Sequence, residues 1–349
     1  MAGWRNLWHG SAAGQTIRRV GWLRLAIVGA ALLLALLFAR YSWQLPLSTD
    51  AERALYDTRL LITSPRVDED KRIVMIVYDE ETLALTGRRS PLDRAILAKA
   101  LTNLDGMGAK GIGIDILIDQ AQPEDRELIA ALKAMKTPVK LAFSSNADTS
   151  AFIQPWQETF MRDFQYKVAA GNVRPTSIRL EADPDGVMRS WPRRAIPKPP
   201  LFANALAPGH PRFESFSGSL LYRLPRETDR SVFGKFAIQL FADPALAEAF
   251  KSQIEGRYVL IGGVLTDIDQ IDTPVTRNSK GTHTGTMPGL EVHATMLAQV
   301  LDNRLPSPLN WPSLWFAAVL VVAIGVGVGA LDLGALRMTV ALIQSAVLL

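Results

Sequence analysis

RIVMIVYDE (residues 72–80) and AKGIGIDILID (residues 109–119) decide the fold of this chain. The first is apolar at every position from Ile73 to Tyr78. A strand of that kind needs cover on both faces, as a central parallel strand has. In the second, Gly111, Gly113 and Asp115 share one face while Ile112, Ile114 and Ile116 share the other. The bare glycine face predicts a helix packed closely on it. Between the two strands, Ser90-Pro91 reads as a helix N-cap followed by proline at the first helical position. Ile96, Leu97, Ala100, Leu101 and Leu104 then recur at helical spacing, and Gly106 and Gly108 end the run. This is a βαβ unit whose strands both end in acid, Asp79-Glu80 and Asp115 with Asp119.

Outward from this unit the pattern continues. Residues 123–135 predict an amphipathic helix and residues 138–143 a third strand, the alternation of an α/β sheet. Asp183-Pro184-Asp185-Gly186 is a strong turn signal, and its flanks, residues 177–183 and 187–193, predict a β-hairpin. Proline-rich residues 192–211 read as an extended surface loop. Residues 219–224 read as a short strand, Asp243-Pro244 opens a helix over 245–254, and residues 256–264 form a further buried strand. An acidic loop, residues 266–273, and a Gly/Thr/Ser-rich loop lead to a last core helix from Pro288-Gly289 to Asn303. Its stripe is Leu290, His293, Ala294, Leu297, Val300 and Leu301. The fold class expected is α/β, a mainly parallel sheet with an added β-hairpin region, flanked by transmembrane helices.

The composition is 48% hydrophobic with a mean hydropathy of +0.11, above what a soluble globular chain needs. The net charge of +4 at pH 7 hints at a nucleic-acid partner. The location of the charges argues otherwise: Arg5, Arg18, Arg19, Arg24, Arg40 and Arg337 lie beside apolar segments, and without them the chain is close to neutral. Cysteine is absent, which excludes disulfides and thiolate chemistry. Residues 1–19 read as a basic cytoplasmic tail and 20–40 as a transmembrane helix, an uncleaved anchor rather than a signal peptide because Leu37 stands where cleavage after Ala39 needs a small residue. Arginines before the span and no acid there place residues 41–310 outside the cytoplasm. Residues 311–331 carry no charge and predict a second transmembrane helix, and residues 338–349 read as the start of another.

YDEETLALTG (78–87), RSPLDRAILAKALTNLDGMGAKGIGIDILI (89–118), PEDRELIAAL (123–132), EADPDGVMRS (181–190), GRYVLIGG (256–263) and TDIDQIDTP (266–274) followed by MPGLEVHA (287–294) together resemble the CHASE2 domain. The resemblance covers roughly residues 45–305 and departs from the family at Arg89-Ser90-Pro91-Leu92, where tryptophan-proline pairs are common. It implies an extracytoplasmic sensory domain of a bacterial inner-membrane receptor, set between membrane helices; a homodimer is expected, since it would let one sensor move its membrane helix against another. It also implies a cytoplasmic output domain outside these residues, most often an adenylate or guanylate cyclase, otherwise a histidine kinase, diguanylate cyclase or Ser/Thr kinase.

Asp79, Glu80, Asp115, Asp119, Asp267 and Asp269 fall at or just past predicted strand ends, where open α/β sheets bind ligands. With Arg94 they form the candidate ligand site, suited to an amine ligand or to a divalent cation such as calcium or magnesium. The competing reading makes them helix caps, turn closures and partners of Arg94 or Arg126. His293 reads as a packing residue rather than half of a metal pair with His283. Gly262-Gly263 is a weak phosphate-loop signal, and no GxSxG elbow supports a catalytic serine. Two function classes follow: a membrane-anchored sensor, or a periplasmic metal-assisted hydrolase using the carboxylates. The partners expected are the membrane and an unidentified small ligand or envelope signal, with no nucleic acid.

Overall fold

The computed structural model describes residues 22–42, 46–147, 153–193, 199–227, 230–267, 269–277, 285–306 and 309–330. The basic tail 1–19 and the segment 338–349 lie outside these residues. The chain forms two compact units, one of residues Met1–Tyr56 and Pro308–Leu349, the other of Asp57–Ser307.

The first unit holds helix α1 (Trp22–Tyr41), the start of α2 (Pro46–Thr63) and the last helix described, Trp311–Ala330. Helix α1 is long and apolar enough to cross a membrane. Residues Trp311–Gly327 form a shorter apolar helical stretch that packs along α1.

The second unit is built on six parallel strands: β1 (Ile73–Tyr78), β2 (Gly111–Asp115), β3 (Val139–Phe143), β4 (Val173–Ser177), β5 (Gly234–Ala237) and β6 (Tyr258–Gly263). Their order across the sheet is β4-β3-β2-β6-β1-β5. All six residues of β1 are buried, as an apolar strand between two neighbours and two helical layers must be. One face, with Val74, Ile76, Ile112, Ile114, Val139, Leu141, Val259 and Ile261, packs under α4 (Arg94–Leu104), α5 (Asp125–Ala134), α6 (Pro155–Val168) and the run α8 (Gln239–Ala242), α9 (Pro244–Ala249) and α10 (Lys251–Ile254). Helix α3 (Glu80–Thr86) follows β1 directly.

The other face carries Gly111, Gly113, Asp115 and Gly262 and is covered by α7 (Phe202–Leu206) and, after the short α11 (Pro274–Arg277), by α12 (Gly289–Leu301). A Cβ at Gly113 would overlap the Phe202 ring and touch Leu206. The predicted close approach of a helix to the glycine face is therefore present. The helix that makes it lies inside the stretch expected to be a surface loop, and Phe202, Ala203, Asn204, Ala205 and Leu206 are all buried.

Other expectations are corrected. Helix α4 begins at Arg94, not Pro91, because Asp93 is the cap, accepting from Ala95 N at 2.8 Å and Ile96 N at 3.2 Å. The DPDG turn closes, with Gly186 N donating to Asp183 O at 2.8 Å, Asp183 N donating to Val187 O at 2.9 Å and Gly186 at φ 81°, but beyond that bond its arms do not continue as a hairpin. Instead Ser177 ends β4, Val187 bridges Asp272 and Ser190 bridges Ser219. Arg189, on the second arm, is buried and points back into the turn. It pairs with Asp57 of α2 at 2.7 and 2.8 Å, with Asp185 at 2.9 Å through each of two N–H groups, and with Asp183 at 2.9 Å.

Candidate functional site

Asp115 ends β2 on the face that α12 covers, with its side chain 8% exposed. Its register neighbour on β6 is Gly262, where a Cβ would press on Leu290 Cδ1 at 3.0 Å and on Asp115 Cβ at 3.3 Å. Gly262 thus makes room for a carboxylate and a helix. From α12, His293 presents Nε2 to Asp115 Oδ2 at 3.9 Å, and its ring leans on Phe202 with centroids 5.0 Å apart. His293 is 2% exposed and its Nδ1 has no hydrogen-bond partner.

Asp269 completes the group. It stands on an exposed loop with φ 55°, but its carboxylate turns inward and fills the space where residue 289 would carry a Cβ. Its backbone oxygen accepts from Gly289 N at 2.9 Å. Gly289 opens α12, so the carboxylate lies at the positive end of that helix. Any larger residue there would displace the carboxylate.

Burial sets the electrostatics. It pushes Asp115 up to about 7. It also pushes Asp269 up to about 6, with the Asp115 charge adding to the effect while His293 and the Gly289 N–H oppose it. Burial pushes His293 down to about 4, against the charge of Asp269 and the backbone of Ile178. At neutral pH the imidazole is neutral, and the two carboxyls sit close to their own titration.

The remaining predicted residues lie elsewhere. Glu80 accepts from Thr266 Oγ1 at 3.0 Å and from Thr266 N at 3.3 Å, and pairs with Arg89 at 3.0 Å. Arg89 also pairs with Asp267, so an exposed ionic rim joins α3 to the 266–273 loop. Asp79 is the N-cap of α3, in a capping box with Thr82. Asp119 accepts from Gln157 Nε2 of α6 at 2.6 Å. Arg94 is buried and pairs with Asp125. The structure therefore brings Asp115 and Asp269 together, joins Glu80 and Asp267 through Arg89, and uses Asp79, Asp119 and Arg94 as local supports. Among the described residues no three His, Asp or Glu side chains are grouped to hold a metal ion, so the hydrolase reading finds no ligand set there.

Sequence reasoning took His293 for packing alone. Its place one turn past Gly289, behind the acidic loop, was the available signal. It also missed how the far end of α12 is held. Gln299, 2% exposed, accepts from Trp191 Nε1 at 3.0 Å and Leu221 N at 3.2 Å, and donates to Ser219 O at 3.2 Å and Arg304 O at 3.1 Å. Asp302, at the C-cap, pairs with Arg72 at 2.9 Å and with Arg223, and both arginines also hold Asp70. Burial raises Asp70, but the Arg72 hydrogen bonds and the Arg72 and Arg223 charges outweigh it and hold its carboxyl below the usual range. The carboxylate of Asp302 would be unfavourable at a helix C-terminus without these cations.

A model of the CHASE2 domain family matches residues 29–331. The chain belongs to the CHASE2 domain family. CHASE2 domains are extracytoplasmic sensory domains. No curated protein and no solved structure matches the chain.

Proposed function

We propose that this CHASE2 chain is the input region of a bacterial transmembrane signalling receptor, multi-pass in the inner membrane and working as a homodimer. It detects a small ligand or envelope signal outside the cytoplasm. It passes that signal through its membrane helices to a cytoplasmic output domain, an adenylate or guanylate cyclase in the first instance, otherwise a histidine kinase, diguanylate cyclase or Ser/Thr kinase. Helix α12 carries this reading. One end holds the Asp115–Asp269–His293 cluster, the other is fixed by Gln299 and Asp302, and the chain then runs through Pro306 and Pro308 to the apolar helix that starts at Trp311. A signal biases output only by favouring one of two arrangements, and α12 is the element positioned to have two. The rim of Glu80, Arg89 and Asp267 is the candidate ligand entrance.

The four arginines before residue 25, with no acid among them, orient α1 with its amino end inside. A reporter fused at Gly218 tests this. Alkaline phosphatase at that position is expected to be active, and a fluorescent cytoplasmic reporter there would overturn the reading.

A further inference from the structure

Arg40, in the last turn of α1, and Trp315, one turn into α13 (Trp311–Ala330), leave three N–H donors without an acceptor. These are Arg40 Nε, Arg40 Nη1 and Trp315 Nε1, all enclosed. The guanidinium lies 4.9 Å from the Tyr41 ring centre and 5.7 Å from that of Trp315. Tyr41 meets Trp315 edge-on at 6.2 Å, and Trp311 meets Trp315 at 6.0 Å. Neither helix contains an Asp or Glu. Contact with the rings offsets part of the cost of enclosing the charge. It does not satisfy the N–H groups, and a buried donor left unpaired is costly. Arg40 as a residue is half-buried, so part of it still reaches the surface.

Resting on the reading of α1 and α13 as membrane helices, we propose that Arg40 and Trp315 form a binding site for the phosphodiester of a phospholipid headgroup. A 20-residue helix is about 30 Å long, so its last turn lies at headgroup depth. The abundant anion at that depth is the lipid phosphate. The planar guanidinium offers two parallel N–H groups to phosphate oxygens, and the indole N–H adds a third donor. Tyr41, Trp311 and Trp315 supply the amphipathic rings that settle at this level. The start of α13 contributes its positive end, with Asn310 Oδ1 accepting from Ser313 N at 3.0 Å. On the proposed topology Arg40 faces the outer leaflet, where charge bias alone calls for no arginine. The bound lipid would tie the end of α1 to the start of α13.

The test uses the full chain in neutral detergent, offered equal amounts of phosphatidylglycerol and a galactosyl diacylglycerol with the same acyl chains. Native mass spectrometry reads the lipid retained. The wild type is expected to keep the phospholipid about tenfold over the galactolipid, a discrimination within reach of charge-assisted hydrogen bonds. Arg40→Gln and Trp315→Phe each bring the ratio toward one, and Arg40→Lys keeps part of it. Equal retention of both lipids by the wild type, or an unchanged ratio in Arg40→Gln, overturns the site. Displacement by millimolar inorganic phosphate would reassign it to a free anion and overturn the lipid source. Carbonate extraction of cell membranes separates the two levels of failure. A wild-type chain released from the membrane sinks the membrane reading, whereas an inserted chain without lipid preference sinks this site alone.

Discussion

Asp115 is the residue on which the site's chemistry turns. A carboxyl raised from 3.8 to about 7 keeps its proton in the folded chain after the unfolded chain has lost it. Its contribution to stability is therefore complete below about pH 4 and is lost as pH rises through 7. Asp269 behaves the same way, with its loss centred near 6. His293 opposes them. Its folded value near 4 lies below 6.5, so its contribution is present above 6.5 and is lost as pH falls toward 4. Asp269 stands on an exposed loop and solvent screens its share, so Asp115 and His293 largely offset each other between about pH 4.5 and 6.5, and stability falls as pH rises on toward 7. Asp185, held at about 2 chiefly by its Arg189 hydrogen bonds, affects only more acid conditions. Asp115→Asn should remove one acid from this balance. Between pH 5 and pH 8 the wild-type chain is expected to lose at least about 1.4 kcal/mol more than the variant, read from denaturant unfolding in detergent. Parallel pH profiles would show that Asp115 is ionised throughout.

Among the elements, the pairing of β2 with α7 makes the sharpest claim. Gly113→Val would drive two methyls into Phe202 and Leu206, and overpacking of this kind costs about 1–3 kcal/mol. Phe202→Ala alone opens a cavity costing about 3–5 kcal/mol. Because each change supplies what the other removes, the double variant should be more stable than the sum of the two by about 1 kcal/mol or more. Thermal unfolding of the four chains measures this, and simple additivity would show that the ring does not press on Gly113. The glycine face was legible because a run of alternate glycines opposite isoleucine has few other uses. The helix that fills it was not. FANAL is five residues long, apolar but for Asn204 and set among prolines, so it offers no period to read. Strand β5 was missed for a similar reason: Gly234–Ala237 is four residues at the sheet edge. The hairpin was expected from a real turn, but beyond that turn the arms part, and the buried Arg189 takes a long-range partner, Asp57. In the site, the acids at strand ends were legible from topology. Which of them would be dry was not, because burial of Asp115 depends on α7 and α12 arriving from distant sequence.

For the whole molecule, the question is whether α12 transmits or merely spaces. Its cluster end contains two carboxyls that titrate near neutral pH, Asp115 and Asp269, beside an imidazole that is neutral there. Its other end is fixed through Gln299 and through a ring in which Arg72 and Arg223 each bind both Asp70 and Asp302. A helix held this firmly at its far end moves as a rod, by rotation or by sliding, and not by fraying of its last turn. The segment from Asp302 to Asn310 carries Pro306 and Pro308, which stiffen it. In a homodimer such a movement would shift one protomer's apolar helix against its partner's. A flexible glycine-serine linker inserted after Asn303 separates the two readings. It leaves the Asp302 ion pairs and the Gln299–Arg304 contact as the nearest structures on either side, so controls with Asp302→Asn are needed to show that the ring still stands. In the full-length receptor, rigid coupling predicts output that no longer depends on stimulus, at a level fixed by the linker and not by the signal. Retained stimulus dependence with the linker in place would mean that α12 does not carry the signal, and that the membrane helices are addressed by another route.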